Sequence, residues 1–234
     1  MQPTARVIEL FTSIQGEGLY VGLPHLFVRF WDCNLSCHYC DTDVRGAYQE
    51  YSRQQLLEAV RNIILTEGSH HAVSLTGGEP LLWWKFLKEW LPDLKGLGQR
   101  TYLETNGALP QLLSEILPWI DIIAMDIKPP SATADRPLWR EHETFLQLAT
   151  KADREIFVKI VVTKETREEE LCQAYDLMAK VDTSIPLVLQ PVTPWGPVQD
   201  RPSQEQLERW RRKASCALAN VRVIPQMHRL LGVR

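Results

Sequence analysis

The feature that most limits what this chain can fold into is a regular alternation of strand-like and helix-like segments. Short apolar runs at 71–75, 101–104, 121–125, 155–162, 187–190 and 221–224 are separated by stretches with helical spacing at 52–67, 82–91, 110–117, 137–150, 167–181 and 203–219. In the first helix, Ser52 is suited to the N-cap, and Leu56, Leu57, Val60, Ile63 and Ile64 share one face. Strands alternating with helices predict a parallel α/β sheet. Runs without clean polar alternation predict strands covered on both faces. About six βα units are too few to close an eight-stranded barrel. The expected fold is therefore α/β, a partial TIM-type barrel with a mostly parallel sheet; a doubly wound sheet is the runner-up. Two further strands, 7–11 and 26–30, flank a glycine-containing stretch at 13–18, and no linker or repeat divides the chain, so residues 1–234 are expected to form one domain.

In such folds function collects at the carboxyl ends of the strands, and the unusual residues lie there. The strand at 26–30 runs into Cys33, Cys37 and Cys40, three of the five cysteines, spaced by three and then two residues. Three soft thiolates with no fourth ligand nearby leave one coordination position open. A structural zinc site prefers four closed ligands, whereas a four-iron cluster held by three thiolates keeps one iron free. The other strand ends carry Thr76-Gly77-Gly78-Glu79-Pro80, Glu104-Thr105-Asn106-Gly107, Asp126-Ile127-Lys128-Pro129-Pro130 and Gln190-Pro191. Each also reads as a plain turn. Arg29 is a cation among apolar neighbours and needs an anion, either Glu17 within the protein or a substrate carboxylate held bidentately.

A net charge of −3 gives no electrostatic argument for nucleic acid or membrane partners, and the basic run 209–213 follows Glu205 and Glu208 on a helical pattern, as a solvated face does. No apolar segment of spanning length and no secretory signal are present, so a cytoplasmic location is expected. Disulfides are not expected there; Cys172 and Cys216 read as small buried helix residues.

The spacing Cys33-x3-Cys37-x2-Cys40, with Tyr39 before the third cysteine, resembles the signature of the radical S-adenosylmethionine (SAM) enzymes, and Thr76-Gly77-Gly78-Glu79-Pro80 resembles their second motif. The resemblance implies a [4Fe-4S] cluster on Cys33, Cys37 and Cys40 whose open iron chelates SAM. A 5′-deoxyadenosyl radical then abstracts hydrogen from the substrate. Tyr39, Asp41, Gly77, Gly78, Glu79, Asn106, Lys128 and Gln190 would contact SAM. Several stretches, Ser13-Ile14-Gln15-Gly16-Glu17-Gly18, Phe27-Val28-Arg29, Cys40-Asp41-Thr42, Glu104 to Gly107, Lys128-Pro129-Pro130 and Pro225-Gln226-Met227-His228, together resemble the 7-carboxy-7-deazaguanine synthase family.

In that family 6-carboxy-5,6,7,8-tetrahydropterin undergoes ring contraction with loss of ammonia, feeding queuosine and related deazapurines. By motif position Ile14, Gln15, Gly16, Glu17 and Thr76 would contact the pterin, Arg29 its carboxylate, and Thr42 a Mg2+. The family also implies a reductant such as a flavodoxin and a homodimer. Some members place the chain's terminal carboxylate at the substrate, whereas here Leu230-Leu231-Gly232-Val233-Arg234 extends past Gln226. A glycyl-radical activase and a zinc-stabilised binding module without catalysis are the alternatives.

Overall fold

A computed structural model describes residues 3–133 and 136–233. The chain runs β1 (Thr4–Ile14), β2 (Pro24–Phe30), β3 (Gln49–Ser52), α1 (Arg53–Glu67), β4 (Ala72–Gly77), α2 (Trp84–Gly96), β5 (Thr101–Thr105), α3 (Pro110–Ile116) and β6 (Ile122–Asp126). It continues through α4 (Pro130–Thr133), α5 (Trp139–Lys151), β7 (Glu155–Val162), α6 (Glu168–Val181), β8 (Leu187–Pro191), α7 (Gln204–Ala214), β9 (Val221–Val223) and α8 (Met227–Leu231). One nine-stranded sheet has the order β3-β1-β2-β4-β5-β6-β7-β8-β9. From β2 onward in that order neighbours pair parallel, while β1 pairs antiparallel with both β2 and β3. The sheet is open, as the number of βα units requires.

The local chemistry of the elements explains most boundaries. Ser52 caps α1 through a reciprocal capping box with Gln55, and Ser203 does the same for α7 with Gln206. Each cap contributes about 1 kcal/mol. Helix α2 runs to Gly96 through Pro92 instead of stopping at residue 91, because Trp90, Leu91 and Leu94 bury on either side of the proline and offset its lost hydrogen bond. Strand β3 was not expected: Gln49–Ser52 is polar and largely solvent-facing, and only its pairing with Thr4–Val7 makes it a strand. Helix α7 ends at Ala214, so Cys216 lies beyond it and is exposed and Cys172 only half-buried; neither is the core residue that helical spacing suggested. The basic run does form a solvated face, with Arg209 and Lys213 both on Glu168.

Successive residues along each strand face opposite sides. Leu103, Ile123, Met125, Val158 and Ile160 join the large core beneath the helices, whereas Tyr102, Ile122, Ala124, Phe157 and Val188 form a smaller cluster on the concave face, closed by Leu19 and Tyr20. Beside that plug, His25 is fully buried, with Nδ1 at 2.7 Å from the Ser74 hydroxyl and Nε2 at 3.2 Å from His71 Nδ1. Burial, with the nearby His71, His70 and Arg100, lowers its pKa to about 3 and keeps it neutral. The strands thus do alternate between two faces, with apolar residues filling the concave base and polar ones appearing toward the carboxyl ends.

Candidate active site

The concave face encloses a cavity of about 350 Å3 at the carboxyl ends of the strands. Period-two geometry aims alternate side chains into it. Glu9 and Arg29 lie opposite each other on β1 and β2, Arg29 is in register with Thr76 on β4, Glu104 comes from β5, and Asp126 on β6 is in register with Lys159 on β7; all six line the cavity. The loop after β2 adds Cys33, Cys37, Tyr39, Cys40, Asp41 and Thr42, and the end of β1 with the loop that follows adds Ile14, Gln15, Gly16 and Glu17.

Arg29 does not pair with Glu17. Its Nε donates to Glu9 Oε2 at 3.2 Å and its Nη1 to the Thr42 hydroxyl at 3.4 Å. Glu17 pairs instead with Lys159, whose ammonium also lies 3.4 Å from Asp126 Oδ2, and Glu17 Oε1 accepts from Gln226 Nε2 at 2.9 Å. Burial alone would raise the Glu17 pKa, but the Lys159 charge and hydrogen bond, aided by Gln226, outweigh it and hold the group at about 2. Lys128 donates to Asp126 at 3.0 Å and lies 5.2 Å from the Tyr39 ring centre. Glu104 accepts from Gln15 Nε2 at 2.8 Å and from the Thr76 hydroxyl at 2.6 Å. The cavity wall is therefore ionic and already hydrogen-bonded, so its donors and acceptors are oriented before any ligand arrives.

The second-motif residues divide: Thr76, Gly77 and Gly78 line the cavity, and Glu79 does not. Glu79 is instead fully buried. It accepts from the Leu81 and Asn106 amides at 3.0 and 2.8 Å and from the Thr105 hydroxyl at 2.9 Å. Burial raises its pKa to about 7. The Gly78 and Glu79 amides donate to the carbonyls of Phe30 and Asp32, so they are not free to hold a ligand. A Cβ on Gly78 would lie 1.8 Å from the Asp32 carbonyl oxygen, and one on Gly77, at φ +126°, 2.1 Å from that of Phe30. The two glycines permit a close approach of β4 to the start of the cysteine loop. Gly78→Ala is expected to cost about 1–3 kcal/mol through overpacking against backbone, read as a lower urea midpoint with an unchanged slope.

Asn106 Nδ2 donates to Asn34 Oδ1 at 2.8 Å, tying the β5 end to the cysteine loop. Gln190 is buried at the end of β8, near enough to Glu17 to help hold it ionised, but neither carboxamide atom meets a partner in hydrogen-bond geometry. The terminal carboxylate of Arg234 lies outside the described residues.

The fit of the thiols to a metal group rests on their donor set. Among the described residues no three His, Cys, Asp or Glu side chains converge on one point, as a single-ion site requires. The three cysteines instead share one wall of the cavity, which suits a cluster whose irons each take a different thiolate. Burial pushes the Cys33 thiol up to about 11, so a bound metal is what would make it a thiolate. Thr42 offers one neutral oxygen, which suits a hard cation whose remaining ligands are water and substrate oxygens.

An open, mostly parallel α/β sheet with a three-thiol loop above its concave face defines a radical SAM protein, and the pattern of the Radical SAM superfamily matches residues 32–178. Among solved structures the chain is similar to QueE from Escherichia coli, with a TM-score of 0.63 at 18% identity over 96% of this chain and 95% of that one. It is 38% identical to a 7-carboxy-7-deazaguanine synthase of Geobacter sulfurreducens over 99% of this chain and 98% of the relative. It is 36% identical to one of Methanothermobacter thermautotrophicus over 98% of both. The chain belongs to the 7-carboxy-7-deazaguanine synthase family.

Glu9, Glu104, Asp126, Lys159, Gln226, His228 and Arg229 also line the cavity and were not singled out as site residues from the sequence. For Glu104, Asp126 and Lys159 a signal existed, since each continues the concave-facing parity of its strand. Gln226 and His228 gave none beyond the family motif and Arg229 gave none, because they reach the cavity through tertiary folding of the chain end.

Proposed function

We propose that the chain performs the reaction its relatives are named for, using 6-carboxy-5,6,7,8-tetrahydropterin and forming 7-carboxy-7-deazaguanine with loss of ammonia. The observation that carries this reading is one cavity with three thiols on one wall and, on the others, Arg29 beside Thr42 and the anions Glu17 and Glu104. When bound, the cluster and SAM supply the radical that abstracts hydrogen. The protein's part is to bind, orient and shield.

Glu17, held ionised by Lys159, and Glu104, presented by Gln15 and Thr76, accept from the N–H edge of the pterin. Ile14 and Gly16 form the adjoining wall. Arg29 meets the substrate carboxylate with the part of its guanidinium that Glu9 and Thr42 do not use, and the Thr42 hydroxyl would be the protein oxygen that holds a Mg2+ beside it. On the SAM side, Tyr39, Asp41, Asn106 and Lys128 surround the thiols. Gly77, Gly78 and Glu79 act by shaping the backbone, and Gln190, buried at the end of β8 and not part of the cavity lining, acts from beside Glu17. This reading places cluster and substrate segment in one cytoplasmic domain, served by a flavodoxin-like reductant and acting as a homodimer. Among the described residues no helix is long and apolar enough to cross a membrane.

The test is an anaerobic incubation of the reduced, reconstituted protein with SAM, Mg2+ and the carboxypterin. Appearance of the deazapurine supports the reading; SAM cleavage without it would move the substrate assignment elsewhere in the superfamily. Arg29→Ala is expected to raise KM for the carboxypterin roughly 10- to 100-fold, the loss of a charge-assisted fork, with iron content unchanged. Loss of iron instead would give Arg29 a structural role.

A further inference from the structure

The short helix α8 joins two parts of the cavity that are remote in sequence. At its start the Met227 amide donates to the Gly16 carbonyl at 2.8 Å, and Gln226 accepts from the Thr193 amide at 2.9 Å while donating to Glu17 at 2.9 Å. The fit is close: a Cβ on Gly16 would lie 2.5 Å from His228. One turn on, Arg229 bonds Asp41 Oδ2 through Nη2 at 2.7 Å and Nε at 3.2 Å, with its guanidinium 4.9 Å from the Trp195 ring centre.

The other oxygen of Asp41 accepts from the Thr42 hydroxyl at 3.3 Å, and that hydroxyl accepts from Arg29 Nη1. A continuous chain therefore runs from Arg229 through Asp41 and Thr42 to Arg29 and Glu9. An isolated half-exposed ion pair contributes little to stability. A guanidinium stacked on an indole and bonded twice to a carboxylate is, however, strongly restricted in direction. Its effect falls on where Asp41 points, and so on Thr42 and Arg29.

We propose that Arg229 is a positioning residue. By fixing Asp41 it holds the Thr42 hydroxyl and the Arg29 guanidinium where the cavity takes its substrate, and α8 acts as a latch between the cysteine loop and the loop at 15–17. Only the identity of that substrate rests on the function proposed above.

Arg229→Ala and Arg229→Lys in the full chain test this with three readouts: amide hydrogen exchange at Val44 in the cluster-free protein, iron per chain after reconstitution, and KM against kcat for the carboxypterin. The Val44 amide, which donates to the Thr42 carbonyl at 3.0 Å, reports order in this segment. In the alanine variant its exchange is expected to quicken about tenfold and KM to rise about tenfold, with kcat within about threefold and iron and melting temperature unchanged. The lysine variant, which restores the charge and one hydrogen bond without the fork, is expected to recover part of the KM. Unchanged exchange and KM would overturn the proposal, as would loss of iron or melting temperature in step with activity. If the wild type makes no deazapurine while Val44 exchange still quickens in the alanine variant, the latch stands and the substrate assignment falls.

Discussion

Replacing Lys159 with methionine is expected to destabilise the protein by about 3–5 kcal/mol at neutral pH, the cost of leaving buried charge without its partner. The ammonium serves two carboxylates, Glu17 and Asp126, and among the described residues no other cation pairs with Glu17. Asp126 keeps Lys128; among the described residues Glu17 keeps amide donors such as Gln226 and no cation. The pH dependence carries a definite sign. In the wild type the Glu17 pKa is held at about 2 against an ordinary 4.5, so its contribution to stability is present above pH 4.5 and lost as the pH falls toward 2. Without Lys159 burial dominates and the folded pKa rises above the unfolded one, which makes Glu17 a penalty at neutral pH that vanishes below about pH 4.5. Urea unfolding of both proteins at pH 7 and pH 4 should show the difference between them shrinking in acid. A difference independent of pH would mean that Lys159 acts through packing alone. On the pterin contact proposed for Glu17, turnover should fall as well, because a protonated carboxyl no longer offers a full anion.

The second large effect is expected at the thiols. Cys33→Ala, Cys37→Ala and Cys40→Ala should each abolish reconstitution of the iron–sulfur group and take turnover below detection, since no other cysteine lies on that wall. Cys172→Ala and Cys216→Ala should leave iron content unchanged, because both lie across the molecule between α6 and the end of α7, where they line a separate small cavity. The contrast separates a specific cluster site from general thiol-dependent iron uptake. Stability should change little in the Cys40 variant, whose side chain is exposed.

Much of this architecture was legible in the sequence because each helix and parallel strand carries its own local signal. Ser52 and the apolar face from Leu56 to Ile64 announce α1, and the apolar strands announce their own burial. Strand β3 was not legible, since Gln-Glu-Tyr-Ser has no apolar pattern and exists only as an edge partner of β1. In the site, the thiol loop and Arg29 stood out as chemistry out of place in their surroundings. The partner of Arg29 did not: Glu9 sits on a neighbouring strand, and antiparallel register rather than sequence proximity brings it there. Glu79 shows the opposite case, a motif residue whose place is set by Asn106 and Thr105 behind the cavity wall. The Glu17–Lys159 pair spans 142 positions and needed the folded sheet to be seen.

Isotope transfer under single-turnover conditions tests directly whether this cavity brings a pterin to a radical generated at the thiol wall. Reduced, cluster-loaded protein is given SAM, Mg2+ and carboxypterin deuterated at its carbon-bound positions. Loss of ammonia alone leaves the conversion redox-neutral, so the abstracted atom is handed back through the same carbon: deuterium at the 5′ carbon of SAM, and of any 5′-deoxyadenosine released, together with formation of the deazapurine, is the predicted result. Deoxyadenosine free of deuterium, with the pterin recovered unchanged, would contradict it.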